Sequence, residues 1–293
     1  MNCRMLAEIV QRVDPHFRPV SCAPVAGGCI HETWQVVGGE RRRYFVKIAS
    51  AARLPMFAAE AEGLRALAGA ATLRVPEPLS CGRHGDRAFL ILEWLPLVPR
   101  DPAADAALGE GLACLHCIPQ RCFGWVRDNF IGATPQPNDL CNDWPEFWRR
   151  HRLGHQLNLA ARKGYGGRLQ ELGERLLVNL DAVFTGHRPV PSLLHGDLWS
   201  GNAAALPDGV PVIFDPACYW GDREADLAMT ELFGGFGSRF YAAYRAVWPL
   251  DPGYAVRRDL YNLYHVLNHL NLFGGSYRLQ AEALLQRLVA EIG

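Results

Sequence analysis

The sequence lacks any excess of charge of one sign and any long apolar run. Thirty Lys and Arg residues balance thirty Asp and Glu residues among 293. A chain without net charge has no overall field that draws it to nucleic acid or acidic lipid, so we expect neither as a partner. The most apolar stretch, Ala88 to Val98, contains Glu93 and is far shorter than the roughly 20 residues that span a bilayer. We therefore expect no membrane segment.

The amino terminus also lacks the continuous apolar stretch of a secretory signal peptide, which predicts a cytoplasmic protein. Nine cysteines stand at irregular spacing, and their odd number favours reduced, buried thiols over a disulfide framework. Cys114 and Cys117 form a C-x-x-C pair within a stretch of helical periodicity, and no second pair follows at zinc-finger spacing. We expect these two thiols to pack as small apolar side chains rather than to bind zinc.

Sequence periodicity divides the chain into a β-rich first part and a mainly helical second part. A helix over residues 1–14 precedes two strands, Thr33 to Val37 and Tyr44 to Ile48, which a Gly-Gly-Glu turn joins. A helix from Met56 to Ala70 and a buried strand from Arg87 to Leu92 follow.

Helices dominate the remainder of the chain, and the predicted ones cover residues 103–118, 144–163, 168–185 and 239 onward. The prediction is therefore an α+β protein of two lobes. The small β-rich lobe comprises residues 1–95, and the larger, mainly helical lobe comprises residues 96–293.

A segment between these helices, residues 192–219, concentrates polar residues at the ends of short apolar strands. It contains H-G-D-x-x-x-x-N, in which Asn202 follows Asp197 by five positions, and then Asp215 at the end of a hairpin. Phosphotransferases of the protein-kinase type use this spacing, because one carboxylate must reach the attacking hydroxyl while an amide oxygen and a second carboxylate hold Mg²⁺. A single Asp or Asn more often caps a turn. The combination predicts Asp197 as the catalytic base and Asn202 and Asp215 as metal ligands.

Such a site also needs a cation for the phosphates of ATP. Lys47 lies in the second strand of the predicted hairpin, and Glu60 follows thirteen residues later on the next helix. Glu62 competes for the pairing with Lys47, but a position two residues further along a helix faces away by about 200°. We expect Lys47 to contact phosphate and Glu60 to hold its ammonium group.

Two further segments complete the predicted ATP site. The pair Gly27-Gly28 lacks the full G-x-G-x-x-G pattern and is also typical of an ordinary turn. Its place before the predicted lysine favours a phosphate-covering loop, whose backbone N–H groups hold oxygen atoms. At the junction of the lobes, the backbone N–H and C=O groups of Glu93, Trp94 and Leu95 are expected to contact the edge of the adenine.

The residues around the catalytic motif carry a family resemblance. The string from Leu194 to Asn202, together with Asp-Pro-Ala at 215–217 and Gly-Gly-Phe at 234–236, resembles the fructosamine kinase family. The aminoglycoside and choline kinases share the looser H-G-D-x-x-x-x-N pattern. The Trp after Asp-Leu, and Asp-Pro-Ala in place of Asp-Phe-Gly, are typical of the fructosamine kinases. The resemblance covers roughly residues 20–275.

The resemblance implies a two-lobed, protein-kinase-like fold and an activity dependent on ATP and Mg²⁺. The substrate it implies is a sugar hydroxyl of a ketosamine, either a small molecule or a glycated lysine, and the role is repair of glycation. Asp197 would be the base, Asn202 and Asp215 the magnesium ligands, and Lys47 with Glu60 the phosphate contact. The alternatives are another small-molecule kinase of the aminoglycoside or choline type, or a catalytically silent kinase-like scaffold. The presence of all five residues disfavours the scaffold.

Aromatic and sulfur residues supply three further hypotheses. Trp199 is predicted to line the substrate pocket, because flat rings stack on sugars and attract amines, and Trp125 and Trp220 are weaker candidates. The alternative for all three is packing in the core. The resemblance also suggests a redox-sensitive Cys29 in the phosphate loop.

The loop around the catalytic motif needs its own support. We expect Asp226 to accept hydrogen bonds from the backbone of this loop and His195 to support Asp215 rather than to act as a base. Gly201 is expected to let the backbone turn tightly beside the metal.

Overall fold

The computed structural model describes residues 3–25 and 31–292, apart from the side chain of Arg41. The predicted phosphate-loop residues Gly27 and Gly28, and Cys29 with its redox hypothesis, lie outside the described residues.

A five-stranded antiparallel sheet forms the β-rich part of the molecule. Its strands are β1 (Pro19–Pro24), β2 (Glu32–Gly38), β3 (Arg43–Ser50), β4 (Pro78–His84) and β5 (Arg87–Glu93), in the order β1-β2-β3-β5-β4. Two helices, α1 (Cys3–Val10) and α2 (Leu54–Ala70), accompany the sheet.

Strand β5 explains why the sheet needs a helix on each face. Its alternate residues point to opposite sides, as the pleat of a strand dictates. Phe89 and Ile91 pack in the cluster that contains Leu6 and Ile9 of α1. Their neighbours Ala88, Leu90 and Leu92 pack in the larger core, which also contains Phe57 and Leu64 of α2. The continuous apolar run therefore forms an interior strand, as its sequence predicts.

Helices form most of the chain after β5. They are α3 (Pro102–His116), α4 (Trp144–Phe147), α5 (His155–Arg162), α6 (Arg168–Val178), α7 (Glu224–Leu232), α8 (Ser238–Val247), α9 (Tyr254–Phe273) and α10 (Ser276–Ile292). A π-helical stretch, Trp148–Gly154, joins α4 to α5, so the single helix predicted there is continuous but wider in its middle turns.

Three two-stranded sheets interrupt these helices and carry the predicted catalytic segment. They pair β6 (Asn129–Ile131) with β7 (Thr134–Gln136), β8 (Ser192–Leu194) with β11 (Tyr219–Gly221), and β9 (Ala203–Ala205) with β10 (Pro211–Ile213). The arrangement is the predicted α+β fold, with a β-rich lobe before a mainly helical one. The exact lobe boundary after residue 95 stays a prediction. Within the described ranges, no helix combines the length and the apolar character that crossing a bilayer requires.

Two expectations about cysteine are wrong. Cys3 and Cys22 form a disulfide between α1 and the edge strand β1, because the packing of α1 brings their Cα atoms to 5.7 Å. Cys114 and Cys117 are free but exposed. Helix α3 turns Leu108 and its other apolar residues towards the core, and the two thiols fall on the solvent side at its end.

Reducing the Cys3–Cys22 disulfide is expected to destabilise the protein. The bond closes a loop between positions 19 residues apart, and releasing such a loop in the unfolded chain costs about 3 kcal/mol of folding free energy. Urea unfolding with and without dithiothreitol measures the loss. A Cys3→Ser/Cys22→Ser variant should be equally weakened and insensitive to the reductant. An identical midpoint for the oxidised and reduced wild type would contradict this expectation.

His187 links the loop before β8 to the segment before α7, and it gives stability a pH dependence. Its Nε2 lies 2.7 Å from Asp222 and its Nδ1 lies 2.7 Å from Asp251. Burial lowers the pKa of His187, but the hydrogen bond and the charge of Asp222 outweigh it, so the pKa is raised above the ordinary 6.5.

We expect the free energy of unfolding to fall as the pH rises through the raised pKa of His187. A histidine with a raised folded-state pKa contributes its full stabilisation below its unfolded pKa and loses it as the folded form deprotonates. Urea titrations between about pH 6 and pH 8 test this, because they span the ordinary histidine pKa. The difference in stability between wild type and His187→Gln should shrink across that range. A difference that stays constant would exclude His187 as the source.

Candidate active site

One cavity of about 450 Å³ brings the predicted functional side chains together. Lys47 of β3 and Glu60 of α2 line it from the sheet side, and Asp197, Asn202 and Asp215 line it from the loops that connect the small sheets. Residues separated by up to 168 positions therefore share one space.

Lys47 lies at the centre of the charge pattern. Its side chain is only 2% exposed, and its ammonium group contacts Asp215 and lies 2.6 Å from Glu60. Burial alone would lower the pKa of Lys47. The two nearby carboxylates raise it by more than burial lowers it, so the pKa lies above its ordinary value and the ammonium group stays protonated. Glu62 faces elsewhere, because it accepts the indole N–H of Trp125 at 2.9 Å and pairs with Arg127. The helix phase therefore places Glu60 rather than Glu62 beside the lysine.

Asp226 at the start of α7 holds the loop that carries Asp197. Its carboxylate accepts the backbone N–H of His195 at 2.7 Å and that of Gly196 at 2.8 Å. Gly196 has φ +81°, and a Cβ there would meet the carbonyl oxygen of Ala217 at 2.1 Å, so only glycine fits. The expected backbone contacts of Asp226 are present.

His195 connects this loop to the one that carries Asp215. Its Nε2 lies 2.9 Å from the carbonyl oxygen of Phe214, and its Nδ1 lies 3.3 Å from the backbone N–H of Asp197. Burial lowers its pKa, so the ring is neutral, and the two contacts assign the proton to Nε2. His195 is therefore a buried structural residue that supports the loop of Asp215, as its sequence position predicts. Both of its ring nitrogens form contacts with the backbone.

The oxygen atoms of Asn202 and Asp215 suit a hard cation. The Asn202 amide nitrogen donates to the carbonyl oxygen of Asp197 at 2.9 Å, which leaves its side-chain oxygen for the cavity. The side chain of Asp215 is 41% exposed, and its residue adopts the left-handed φ of +56° that turns it out of β10. Carboxylate and amide oxygens are the ligands that Mg²⁺ prefers, so this pair fits the ion.

Gly201 lies in the 3₁₀ turn Ser200–Asn202, where the sequence predicts a tight backbone turn, and it also makes room for a neighbouring ring. A Cβ at this position would lie 2.3 Å from the indole ring of Trp199. The glycine therefore makes room for Trp199, whose ring lines the cavity and is 37% exposed.

Trp199 belongs to an aromatic wall that lines part of the cavity. Its ring meets Phe233 edge-on at 6.2 Å, and Phe233 lies 4.9 Å from the ring of His269. Phe273 and Tyr277 continue the wall at 5.5 and 5.2 Å from His269. Helices α7, α9 and α10 thus bring these rings together over the catalytic segment.

A buried amide cluster supports the loop that follows Asp215. Asn129 donates to the carbonyl oxygen of Cys218 at 2.6 Å, and Gln136 donates to that of Ala217 at 3.2 Å. The Asn129 side-chain oxygen accepts from Gln136 at 2.8 Å in turn. The β6–β7 hairpin thereby fixes the chain just beyond the predicted metal ligand.

Some predicted residues lie away from the cavity. Glu93, Trp94 and Leu95 do not line it, the Glu93 carboxylate pairs with Arg74, and the Glu93 N–H donates to the carbonyl oxygen of Glu77 at 2.9 Å. That N–H is therefore not available to an adenine.

Trp125 and Trp220 are packing residues rather than pocket residues. Their ring centroids are 4.9 Å apart, and neither ring lines the cavity. Trp125 is only 6% exposed and directs its indole N–H to Glu62, away from the catalytic segment.

The family model of fructosamine kinase matches residues 1–291 of this chain. The chain belongs to the fructosamine kinase family. Relatives are similar in sequence to this chain over most of its length. A probable ketoamine kinase of Synechocystis sp. is 46% identical over 281 residues, which cover 96% of this chain and 94% of the relative. A chloroplastic protein-ribulosamine 3-kinase of Oryza sativa subsp. indica is 41% identical over 264 residues, which cover 89% and 76%.

Solved structures agree with this membership of the fructosamine kinase family. A crystal structure from Haemophilus somnus 129PT, provisionally assigned as fructosamine-3-kinase, has a TM-score of 0.88 and 30% identity, with 97% and 96% of the two chains covered. A thermostable mutant of an aminoglycoside phosphotransferase has a TM-score of 0.66 and 16% identity, with 97% and 98% covered. This more distant similarity shows the shared fold.

The sequence analysis did not predict several of the residues that line the cavity of this fructosamine kinase family member. His269, Phe273 and Tyr277 follow one another at intervals of four residues, so an aromatic stripe was present near the end of α9. Such a stripe is more often core, and nothing local indicates that it faces the catalytic segment.

Proposed function

We propose that this protein uses ATP and Mg²⁺ to phosphorylate a sugar hydroxyl of ketosamines. The observation that carries the proposal is the shared cavity of Lys47, Glu60, Asp197, Asn202 and Asp215 in a member of the fructosamine kinase family. Each side chain has the chemistry that one part of a phosphoryl transfer requires.

Lys47 and Glu60 form the nucleotide end of the site. The lysine supplies positive charge for phosphate oxygens, and the glutamate keeps the long side chain in place at 2.6 Å. Gly27 and Gly28 are proposed to cover the phosphates, and the backbone of Glu93-Trp94-Leu95, other than the engaged Glu93 N–H, is proposed to meet the base. We place the boundary between the nucleotide-binding lobe and the substrate-binding lobe after residue 95.

Asn202 and Asp215 are the proposed magnesium ligands. The ion, when bound, neutralises negative charge on the phosphates during transfer. Asp215 contacts Lys47 in the free protein, so the lysine holds the carboxylate at the place where the phosphates would meet both groups.

Asp197 is the proposed base. Burial, together with the charges of Asp215 and Asp226, raises its pKa to about 7 in the free protein, which is near the value that proton transfer at neutral pH favours. The substrate hydroxyl gives its proton to Asp197, its oxygen forms a bond to the terminal phosphorus, and the bond from that phosphorus to the departing ADP oxygen breaks. The proton goes to Asp197, the phosphoryl group goes to the sugar oxygen, and ADP leaves with the bonding electron pair, so the step balances.

The aromatic wall is the proposed sugar and amine subsite. Trp199 and Phe273 are 37% and 55% exposed, and flat rings of this kind stack on sugar faces and attract an amine cation. His269 directs Nδ1 to the carbonyl oxygen of His265 at 2.8 Å, and burial lowers its pKa, so a neutral Nε2 is left as an acceptor for a hydroxyl.

The charge around the cavity favours ketosamines over aminoglycosides. Among the described residues that line it, the only carboxylates are Glu60, Asp197 and Asp215, all at the phosphate end. A polycationic substrate would need acidic partners along the aromatic wall, whereas a ketosamine brings one amine. We propose small ketosamines and glycated lysine as substrates, and a cytoplasmic location for the protein.

The experiment is magnesium-dependent ADP release from the purified protein with a panel of acceptors. Fructosamine and ribulosamine forms of lysine test the proposal, and free lysine, an aminoglycoside and choline are the comparison compounds. We expect turnover with ketosamines alone. Turnover with the aminoglycoside or choline would replace the proposed substrate class. Absence of turnover with every acceptor, despite ATP binding, would indicate a silent scaffold.

A further inference from the structure

A histidine that has no hydrogen-bond partner among the described residues lines the cavity beside Lys47. The Nδ1 and Nε2 atoms of His31 are both screened from solvent, and neither has a hydrogen-bond partner among the described residues. Burying a polar atom without a partner is energetically costly, so such an atom in a cavity indicates a ligand that completes its hydrogen bonding.

The position of His31 is well fixed. Two hydrogen bonds close the chain just around it, from the Val25 N–H to the Thr33 carbonyl oxygen at 2.9 Å and from the Thr33 hydroxyl to the Val25 carbonyl oxygen at 2.6 Å. The imidazole meets the fully buried ring of Phe57 edge-on, with 5.5 Å between centroids and 82° between planes. The ring thus rests on α2.

The charges around His31 suit a neutral donor. Lys47 on β3 and Asp215 after β10 are the charged groups that act on it, and Glu60 on α2 already pairs with the lysine. Burial and then the Lys47 charge lower the pKa of His31 to about 4, so the ring is neutral and carries one N–H. A neutral N–H can stand beside an ammonium group without repulsion.

The phosphate chain needs more donors than Lys47 alone. The described charged groups that line the cavity are three carboxylates and one ammonium, and a nucleoside triphosphate adds further negative charge. In kinases of this type the lysine serves the inner phosphates, and a metal held by Asn202 and Asp215 would supply positive charge to the outer part of the phosphate chain. His31 shares the cavity with Lys47 and the proposed metal ligand Asp215, and both act on its charge, so we place its donor towards the terminal phosphate.

We propose that His31 donates a hydrogen bond to the terminal phosphate of a bound nucleoside triphosphate and so positions that group for transfer. This rests on the proposed function, because it requires a nucleoside triphosphate in this cavity. His31 is then a positioning residue with a preference for triphosphate over diphosphate.

Calorimetry with two magnesium-bound nucleotides tests the proposal. The first is the β,γ-imido analogue of ATP, and the second is ADP, which lacks the terminal phosphate. His31→Ala and His31→Phe should weaken the analogue about tenfold, the effect of losing one hydrogen bond to a charged group, and leave ADP within about twofold. His31→Asn, which keeps an N–H donor, should retain part of the affinity.

The variants separate binding from packing. His31→Phe keeps a ring against Phe57 but has no donor, so its loss of affinity would not come from a collapsed pocket. His84→Ala is the matched control, because His84 pairs with Glu8 away from the cavity and should leave both nucleotides unaffected.

Three results would overturn the proposal. Unchanged affinity of His31→Ala for the analogue would remove the contact, and an equal loss for both nucleotides would place His31 on the inner phosphates or in the packing. Wild-type protein that binds neither nucleotide would overturn the proposed function together with this inference. Wild-type binding with unaffected His31 variants would overturn this inference alone.

Discussion

Replacing Asp197 by Asn is expected to lower kcat about 10²- to 10⁴-fold, the usual contribution of a general base. The asparagine has nearly the same shape, so the loop that Asp226 clamps should keep its conformation. It has no carboxylate to accept the substrate proton, so the attacking oxygen stays a weak nucleophile. The affinity for ATP should change little, because Lys47 and the proposed metal ligands remain.

Single-turnover kinetics and ATP-binding calorimetry on the same preparation check the Asp197→Asn prediction. Asp208→Asn is the control, since Asp208 is exposed in the turn between β9 and β10 and accepts the backbone N–H of Val210 at 3.2 Å. An unchanged kcat in Asp197→Asn would remove Asp197 from the base role. Loss of ATP binding along with turnover would instead indicate a misplaced loop.

Replacing Arg257 by Met is expected to cost about 3–5 kcal/mol of folding free energy, the usual result of removing one partner of a buried ion pair. The Arg257 guanidinium donates to both oxygens of Glu224, at 2.6 and 3.0 Å, and the two side chains are 1% and 0% exposed. Without the arginine, the carboxylate is left in a site that water does not reach, next to Asp222. It must then stay charged at high cost or take up a proton.

The neighbouring arginine provides a control for this prediction. Arg258 pairs with Asp259 and Glu231 but is 37% exposed, so Arg258→Met should cost less than about 1 kcal/mol. A Glu224→Met/Arg257→Met double variant removes both charges and should recover part of the loss. Urea unfolding of the four proteins tests the set. Equal losses in Arg257→Met and Arg258→Met would show that burial does not set the cost.

Sequence was sufficient where function depends on closely spaced residues. Asp197 and Asn202 lie in one loop, and Asp215 follows after a single hairpin, so their spacing nearly determines their proximity. The choice of Glu60 over Glu62 follows from the phase of one helix. The run from Ala88 to Leu92 fits only a strand that is covered on both faces.

Sequence was insufficient where contacts depend on how distant elements pack. The Cys3–Cys22 bond needs α1 laid beside β1, and nothing in the spacing of nine cysteines indicates that pair. His269 and Phe273 join Trp199 only because α9 crosses the catalytic segment. That the two ring nitrogens of His31 have no hydrogen-bond partner among the described residues is visible only in three dimensions.

The most direct measurement of the central claim is the identity of the product. Purified protein is incubated with ATP, Mg²⁺ and a lysine ketosamine, and ³¹P NMR with mass spectrometry locates any new phosphate. The account predicts one phosphate ester on a sugar hydroxyl of the ketosamine, formed far more slowly with Asp197→Asn and absent without the metal. ATP consumption that leaves the ketosamine unmodified, or a phosphate that is attached to the amine, would contradict it.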